Sequence, residues 1–311
     1  MSALAPVIVI LGPTASGKSS LAIWLAEKLS GEVLVCDSTQ AYKYFDIGTA
    51  KVALSEQHGI AHHLVDLCEP EQIFTAGEYR RRALQVLEEV TQRKKLPILT
   101  AGTGLYLRAL LEGLSDAPER SEELRTRLRE RAECRGPEHL HRILARLDPA
   151  SASRIASRDT QKVIRAIEMR ILAKKPVAEI HGEGRRSLEG YGVKKIGLSP
   201  AREDLYARIE ERTESMIRDG WLDEVSRLVA KGISPESKPF QFIGYSELRS
   251  HLNGQLTMES AAQKIQQATR QFAKRQLTWF RKEPAVHWLP GFGDDPLIAA
   301  AALEFLKGSR P

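Results

Sequence analysis

Val7-Ile8-Val9-Ile10-Leu11-Gly12-Pro13-Thr14-Ala15-Ser16-Gly17-Lys18-Ser19 decides how this 311-residue chain folds. The apolar run Val7 to Leu11 reads as a buried strand, and Leu21, Ala22, Leu25, Ala26 and Leu29 recur behind it at helical spacing. Between them stands a phosphate loop. Gly12 and Gly17 let the backbone curl so that its amides face an anion, the helix N-terminus adds positive potential, and Lys18 neutralises the outer phosphates. The whole segment Gly12, Pro13, Thr14, Ala15, Ser16, Gly17, Lys18, Ser19 is therefore read as diphosphate- or nucleotide-binding. Ser19 is the expected protein ligand of a Mg²⁺ cofactor bridging those phosphates. Nucleotides and organic diphosphates present nearly the same charge to such a loop, so its occupant has to be decided elsewhere.

Composition bounds the search. With 42% hydrophobic and 28% charged residues the chain can bury one large core or a core with a satellite. Three cysteines, Cys36, Cys68 and Cys134, without CxxC spacing, argue against a disulfide framework or a structural zinc and fit a reducing cytoplasm. Residues 1–6 carry no basic start, and the apolar run at Val7 is too short to span a membrane, so neither a targeting signal nor a membrane is expected. The net charge of +6 is modest but clustered. Arg120, Arg125, Arg127, Arg129, Arg131 and Arg135 crowd one helical stretch, and Arg270, Lys274, Arg275, Arg281 and Lys282 load another. A solvated helix face explains either cluster alone; both together with a phosphate loop point to nucleic acid.

Short β-rich runs at Val7–Leu11, Glu32–Asp37 and Leu96–Thr100 alternate with helical periods, the signature of a parallel sheet with crossover helices. Thr75, three residues before Glu78, reads as the N-cap of one crossover helix. From Pro118 to Glu189 the β signal vanishes. Helices opened by Ser121, Pro137 and Asp159 replace it. The Gly-rich stretch 181–192 reads as a mobile loop, Val193–Leu198 and Ala285–Leu289 as returning strands, and helices are expected near 205–219, 222–230 and 258–281. The expected fold is α/β: a P-loop-type parallel sheet core with helices on both faces, formed by 1–117 and 190–311, and a helical insertion domain, 118–189.

In open parallel sheets ligands collect beyond the carboxyl ends of the strands. Besides the phosphate loop, those ends carry Asp37-Ser38-Thr39-Gln40 and Thr100-Ala101-Gly102-Thr103-Gly104. Asp37 could reach a metal or a substrate proton, or merely cap its strand; Thr103 could bind a reacting group, or merely cap the next helix. No Asn-Lys-x-Asp guanine reader and no Asp-x-x-Gly after the second strand are present, which removes a GTPase and leaves a small phosphate-loop kinase open.

Seven motifs in order resemble the bacterial tRNA dimethylallyltransferases, also called tRNA isopentenyltransferases: GPTASGKS from Gly12, DSTQAYKYFDIGTAK from Asp37, HHLVD from His62, AGTGLYLRALLEG from Ala101, DTQKVIRAIEM from Asp159, IGYSEL from Ile243 and TRQFAKRQLTWFRK from Thr269. The resemblance implies prenyl transfer from dimethylallyl diphosphate to the exocyclic amine of the adenosine 3′ of the anticodon, in tRNAs reading codons that begin with U. It implies Asp37 as general base and Thr103 as the residue orienting the amine. It implies tRNA contacts at Asp37, Ser38, Thr39, Gln40 and Thr103, along Gln161, Lys162, Val163, Ile164 and Arg165, and at Arg125, with Arg212 as a second pyrophosphate ligand. The partners expected are the tRNA anticodon stem-loop and dimethylallyl diphosphate, on a monomer.

Departures from that pattern are few. Ser19 replaces the more usual Thr, Lys162 stands where Arg is usual and loses a bidentate fork, and Gln241-Phe242 replaces an Arg-Cys pair. No Cys/His pairs of a C-terminal zinc finger follow Trp288. Adenylate isopentenyltransferases share the loop and the acid but act on a free nucleotide, which needs neither basic helical region. A noncatalytic tRNA-binding protein is disfavoured by the intact Lys18, Ser19, Asp37 and Thr103.

Overall fold

The computed structural model describes residues 4–182 and 184–308; residues 1–3, part of the expected N-terminal segment, and Glu183 of the expected loop lie outside the described residues. Contacts divide the chain into two compact units, 1–110 with 189–311, and 111–188.

The larger unit holds strands β1 (Ala5–Leu11), β2 (Gly31–Cys36), β3 (His62–His63), β4 (Leu96–Ala101), β5 (Tyr191–Leu198) and β6 (Val286–Leu289) in one parallel sheet of order β3-β2-β4-β1-β5-β6. Its helices are α1 (Lys18–Leu29), α2 (Ala76–Gln92) and α3 (Gly104–Glu112), and it continues after the smaller unit. The smaller unit is all helical: α4 (Glu122–Arg135), α5 (Pro137–Leu147), α6 (Pro149–Ala152), α7 (Thr160–Ala173) and α8 (Val177–Gly182). Back in the larger unit come α9 (Arg202–Arg218), α10 (Trp221–Ala230), α11 (Tyr245–Leu252), α12 (Met258–Phe280) and α13 (Pro296–Gly308).

Alternation along the strands sorts the core into two layers. Ile8, Ile10, Val33, Val35, Ile98, Ile196 and Leu198 pack with Leu21 and Leu25 of α1 and Ala299 and Ala302 of α13. On α2, Tyr79, Ala83, Leu87 and Val90 recur at helical spacing and are buried, with the Tyr79 ring stacked on Tyr106 at 4.6 Å. The expected caps form: Thr75 Oγ1 accepts from Glu78 N, Ser121 Oγ from Leu124 N and Asp159 Oδ1 from Lys162 N.

β1, β4 and β2 end in one row, because Leu11 pairs with Ala101 and Ala101 with Cys36. Register thus brings the phosphate loop, Asp37 and Thr103 out at one level of the sheet edge. Two differences from expectation concern elements whose pattern is weak. β5 starts at Tyr191 because its first two residues pair with Ala5 and Pro6, and α13 forms over an almost wholly apolar run that has no polar stripe to announce it.

The helical unit closes around Leu128, Leu140, Leu144, Val163, Ile164, Ile167 and Met169. Among the described residues no helix is long and apolar enough to cross a membrane.

Candidate active site

A cavity of about 1340 Å³ opens at this row of strand ends, lined by Thr14 to Ser19, Asp37, Thr39, Gln40, Gly102, Arg208, Arg212 and Gln276 among others. Gly17 adopts φ +82°, and a Cβ there would lie 2.7 Å from Gly293 N, so only glycine turns this corner. Ser16 Oγ and Lys18 Nζ both donate to Pro13 O, at 2.8 and 2.6 Å, which folds the lysine back across its own loop. Enclosure by protein lowers the Lys18 pKa to about 8; the Asp37 charge resists this and the Arg212 charge adds to it. Arg212, on α9, is likewise lowered by burial and by Arg208, and raised by Asp37. Two poorly solvated cations facing one acid form a site short of negative charge, which a bound polyanion would supply.

Asp37 divides its two oxygens between different tasks. Oδ1 accepts from Thr39 N at 2.9 Å and Thr39 Oγ1 at 2.8 Å, while Oδ2 lies so close to Gly102 that a Cβ there would meet it at 2.2 Å. The first oxygen orients the carboxylate and the second remains to accept a proton. Thr103 Oγ1 accepts from Ser38 N at 2.9 Å and donates toward Ser38 Oγ at 3.2 Å, tying the ends of β2 and β4 together. Gln40 Nε2 donates to Thr49 O and Ala50 O, stabilising the 37–51 segment from within.

That segment rests on residues the sequence reading missed. Glu224 Oε2 accepts from Asp46 N and Ile47 N, its Oε1 accepts from Tyr245 Oη at 2.6 Å, and the Trp221 ring covers Gly48. The loop before α13 also supports the site: Gly293 N donates to Ser16 O, and Asp294 takes a bidentate pair from Arg208. From α12, the Gln276 side chain reaches Thr14 N and Gly102 O. The acid at position 224 in an amphipathic helix was the one available signal; the other partners are set by the tertiary fold.

Ser19 lines the cavity beside Lys18, and among the described residues no group of three His, Cys, Asp or Glu could hold a metal by itself. The Ser19 hydroxyl, a hard oxygen donor at the start of α1, is of a kind that suits a Mg²⁺ held otherwise by phosphate oxygens.

In the helical unit the expected tRNA-facing residues separate. Gln161 and Lys162 are exposed, the lysine pairing with Asp159. Val163 and Ile164 need correcting: their side chains are 0% and 4% exposed, because this turn of α7 faces the apolar core. Arg125 Nε and Nη2 form a bidentate pair with the fully buried Glu168, which also receives Arg165 and Ser121 N. Burial alone would raise the Glu168 pKa, but these donors hold it at about 2. Arg165 also donates to Pro118 O.

The IPP transferase family model matches residues 40–283. The chain belongs to the IPP transferase family. A tRNA dimethylallyltransferase of Solibacter usitatus is 48% identical over 96% of this chain and 97% of its own length, and one of Koribacter versatilis is 48% identical over 97% and 98%. Among solved structures, the full-length tRNA isopentenylpyrophosphate transferase of Bacillus halodurans superposes with TM-score 0.71 at 33% identity, over 98% of this chain and 96% of that one. A eukaryotic dimethylallyltransferase acting on tRNA gives TM-score 0.79 at 26% identity, over 99% and 80%. The α/β architecture with its parallel sheet is thus shared with these solved IPP transferases.

Proposed function

We propose that this chain transfers a dimethylallyl group from dimethylallyl diphosphate to the exocyclic amine of the adenosine immediately 3′ of the anticodon, in tRNAs reading codons that begin with U, and releases pyrophosphate. The observation that carries this reading is the pairing, in one cavity, of an anion-poor cationic floor, Lys18 and Arg212, with a carboxylate oxygen of Asp37 left available for a proton.

The chemistry follows from those positions. The bond between the allylic carbon and the diphosphate oxygen breaks, and the electron pair leaves with pyrophosphate. The loop amides, Lys18 and Arg212 stabilise the charge that gathers there, an arrangement worth most where water is excluded. The adenine amine is a weak nucleophile, so its proton must depart as the new nitrogen–carbon bond forms; Asp37 Oδ2 is its acceptor. Ser19 would hold a Mg²⁺ beside the phosphates, which would supply further neutralisation of the leaving group.

Extracting the adenosine from its stack costs about a few kcal/mol, less in a single-stranded loop than in a duplex. Exposed Gln161 and Lys162 are among the side chains of the helical unit available to hold the tRNA. In this reading the chain acts as a monomer on tRNA in the cytoplasm.

The test uses the full chain with Mg²⁺ and labelled dimethylallyl diphosphate, offered unmodified tRNA, AMP or no acceptor. Label in tRNA supports the reading. Label in AMP, or transfer of phosphate in place of the prenyl group, refutes it.

A further inference from the structure

The side chain of Gln276 sits on α12, 174 residues in sequence from Gly102 and 262 from Thr14, yet it joins the two. Its Oε1 accepts from Thr14 N at 2.7 Å, and its Nε2 donates to Gly102 O at 2.8 Å. Gln276 is 6% exposed, and the donor at one end and acceptor at the other fix which way the amide faces. Thr14 belongs to the phosphate loop. Gly102 is the residue against which Asp37 Oδ2 lies. One amide therefore forms the bridge between the cradle for the leaving group and the seat of the base.

A group transfer requires the departing diphosphate, the allylic carbon, the amine and the base to be held in register. A displacement of about 1 Å costs on the order of 10²-fold in rate even where binding is unaffected. Gln276 touches neither reacting atom. We propose that Gln276 is a positioning residue, which sets the distance between the diphosphate cradle and Asp37 by joining Thr14 N to Gly102 O. This inference rests on the prenyl-transfer reading above and adds to it the residue that holds the two halves of the site in register.

Three substitutions separate this role from simple core filling. Gln276→Met keeps the volume and removes both bonds, Gln276→Glu keeps an acceptor for Thr14 N and loses the donor when ionised, and Gln276→Asn keeps the amide but shortens its reach. The readouts are the single-turnover transfer rate at saturating tRNA and dimethylallyl diphosphate, the affinity for inorganic pyrophosphate with Mg²⁺, and the affinity for unmodified tRNA. Gln276→Met is expected to lower the saturated rate about 10- to 100-fold while both affinities stay within about threefold.

The pH profile of Gln276→Glu supplies a signature that packing alone does not produce. A protonated carboxyl group again offers one donor and one acceptor, so the ratio of variant to wild-type rate is expected to rise as pH falls, whereas the same ratio for Gln276→Met stays flat. A saturated rate within threefold of wild type for Gln276→Met overturns the proposal. So does a loss that appears equally in pyrophosphate affinity, with a flat ratio for Gln276→Glu. Wild-type chain that transfers no prenyl group to tRNA refutes the parent reading and this inference with it; wild-type transfer with indifferent variants refutes this inference alone.

Discussion

Replacing Glu168 with Gln tests how the helical unit is held. Glu168 is fully buried on α7, and its two oxygens receive Arg125 through Nε and Nη2, Arg165 through Nη1 and the Ser121 amide. Burial pushes its pKa up and the donors pull it down, the balance lying at about 2 against an ordinary 4.5. A folded-state pKa below the unfolded one means a stabilising contribution that is complete above pH ~4.5 and lost as pH falls toward ~2; at 1.36 kcal/mol per pH unit it amounts to about 3 kcal/mol. Glu168→Gln keeps the shape but turns one end of the acceptor into a donor facing two arginines, so the loss at neutral pH should be at least about 3 kcal/mol, within the range for a broken buried pair. Because the chain has two units, a global midpoint is the wrong readout. Hydrogen exchange at the Val163, Ile164 and Ile167 amides isolates α7, where about 3 kcal/mol corresponds to exchange roughly 150-fold faster. The wild-type amides should lose protection between pH ~4.5 and ~2, and the variant should show no such step. Acceleration below about fivefold, or identical acid profiles, would refute the assignment of Glu168 as the centre of that unit.

Further predictions concern the larger unit. Gly102→Ala places a Cβ where Asp37 Oδ2 now lies, at 2.2 Å, and should lower turnover about 10²-fold by displacing the base, with pyrophosphate titration unchanged; full activity would show that the carboxylate seat is dispensable. Lys18→Ala should weaken inorganic pyrophosphate binding by about 2–3 kcal/mol, roughly 30- to 150-fold. Calorimetric titration measures this, and thermal unfolding of the free chain should show no loss of stability, since the lysine is held at a depressed pKa. Equal pyrophosphate affinity in Lys18→Ala would remove the phosphate loop from leaving-group binding.

How far the sequence carries depends on whether the information is local. The phosphate loop, Asp37 and the caps Thr75, Ser121 and Asp159 are set by their neighbours in the chain, and each lies where its spacing put it. The two-residue strand β3 is too short to alternate, and α11 lies inside a segment read as a motif and not as a helix. Partners across the fold were beyond reach. Gln276 and Arg125 are the two sides of this: a glutamine in a basic helix proves to be a bridge at the cavity, and an arginine in a basic cluster proves to be half of a buried ion pair. Glu168 had left a trace, since it shares the helical spacing of Ile164, Ile167 and Ile171, an acid aligned with an apolar stripe.

Single-turnover transfer from dimethylallyl diphosphate to unmodified tRNA, compared between wild type and Asp37→Ala with both substrates saturating, bears most directly on the central claim that Asp37 removes the amine proton beside the diphosphate cradle. The expected result is a rate lower by about 10² to 10⁴ with tRNA and pyrophosphate affinities close to wild type. An unchanged rate would contradict it.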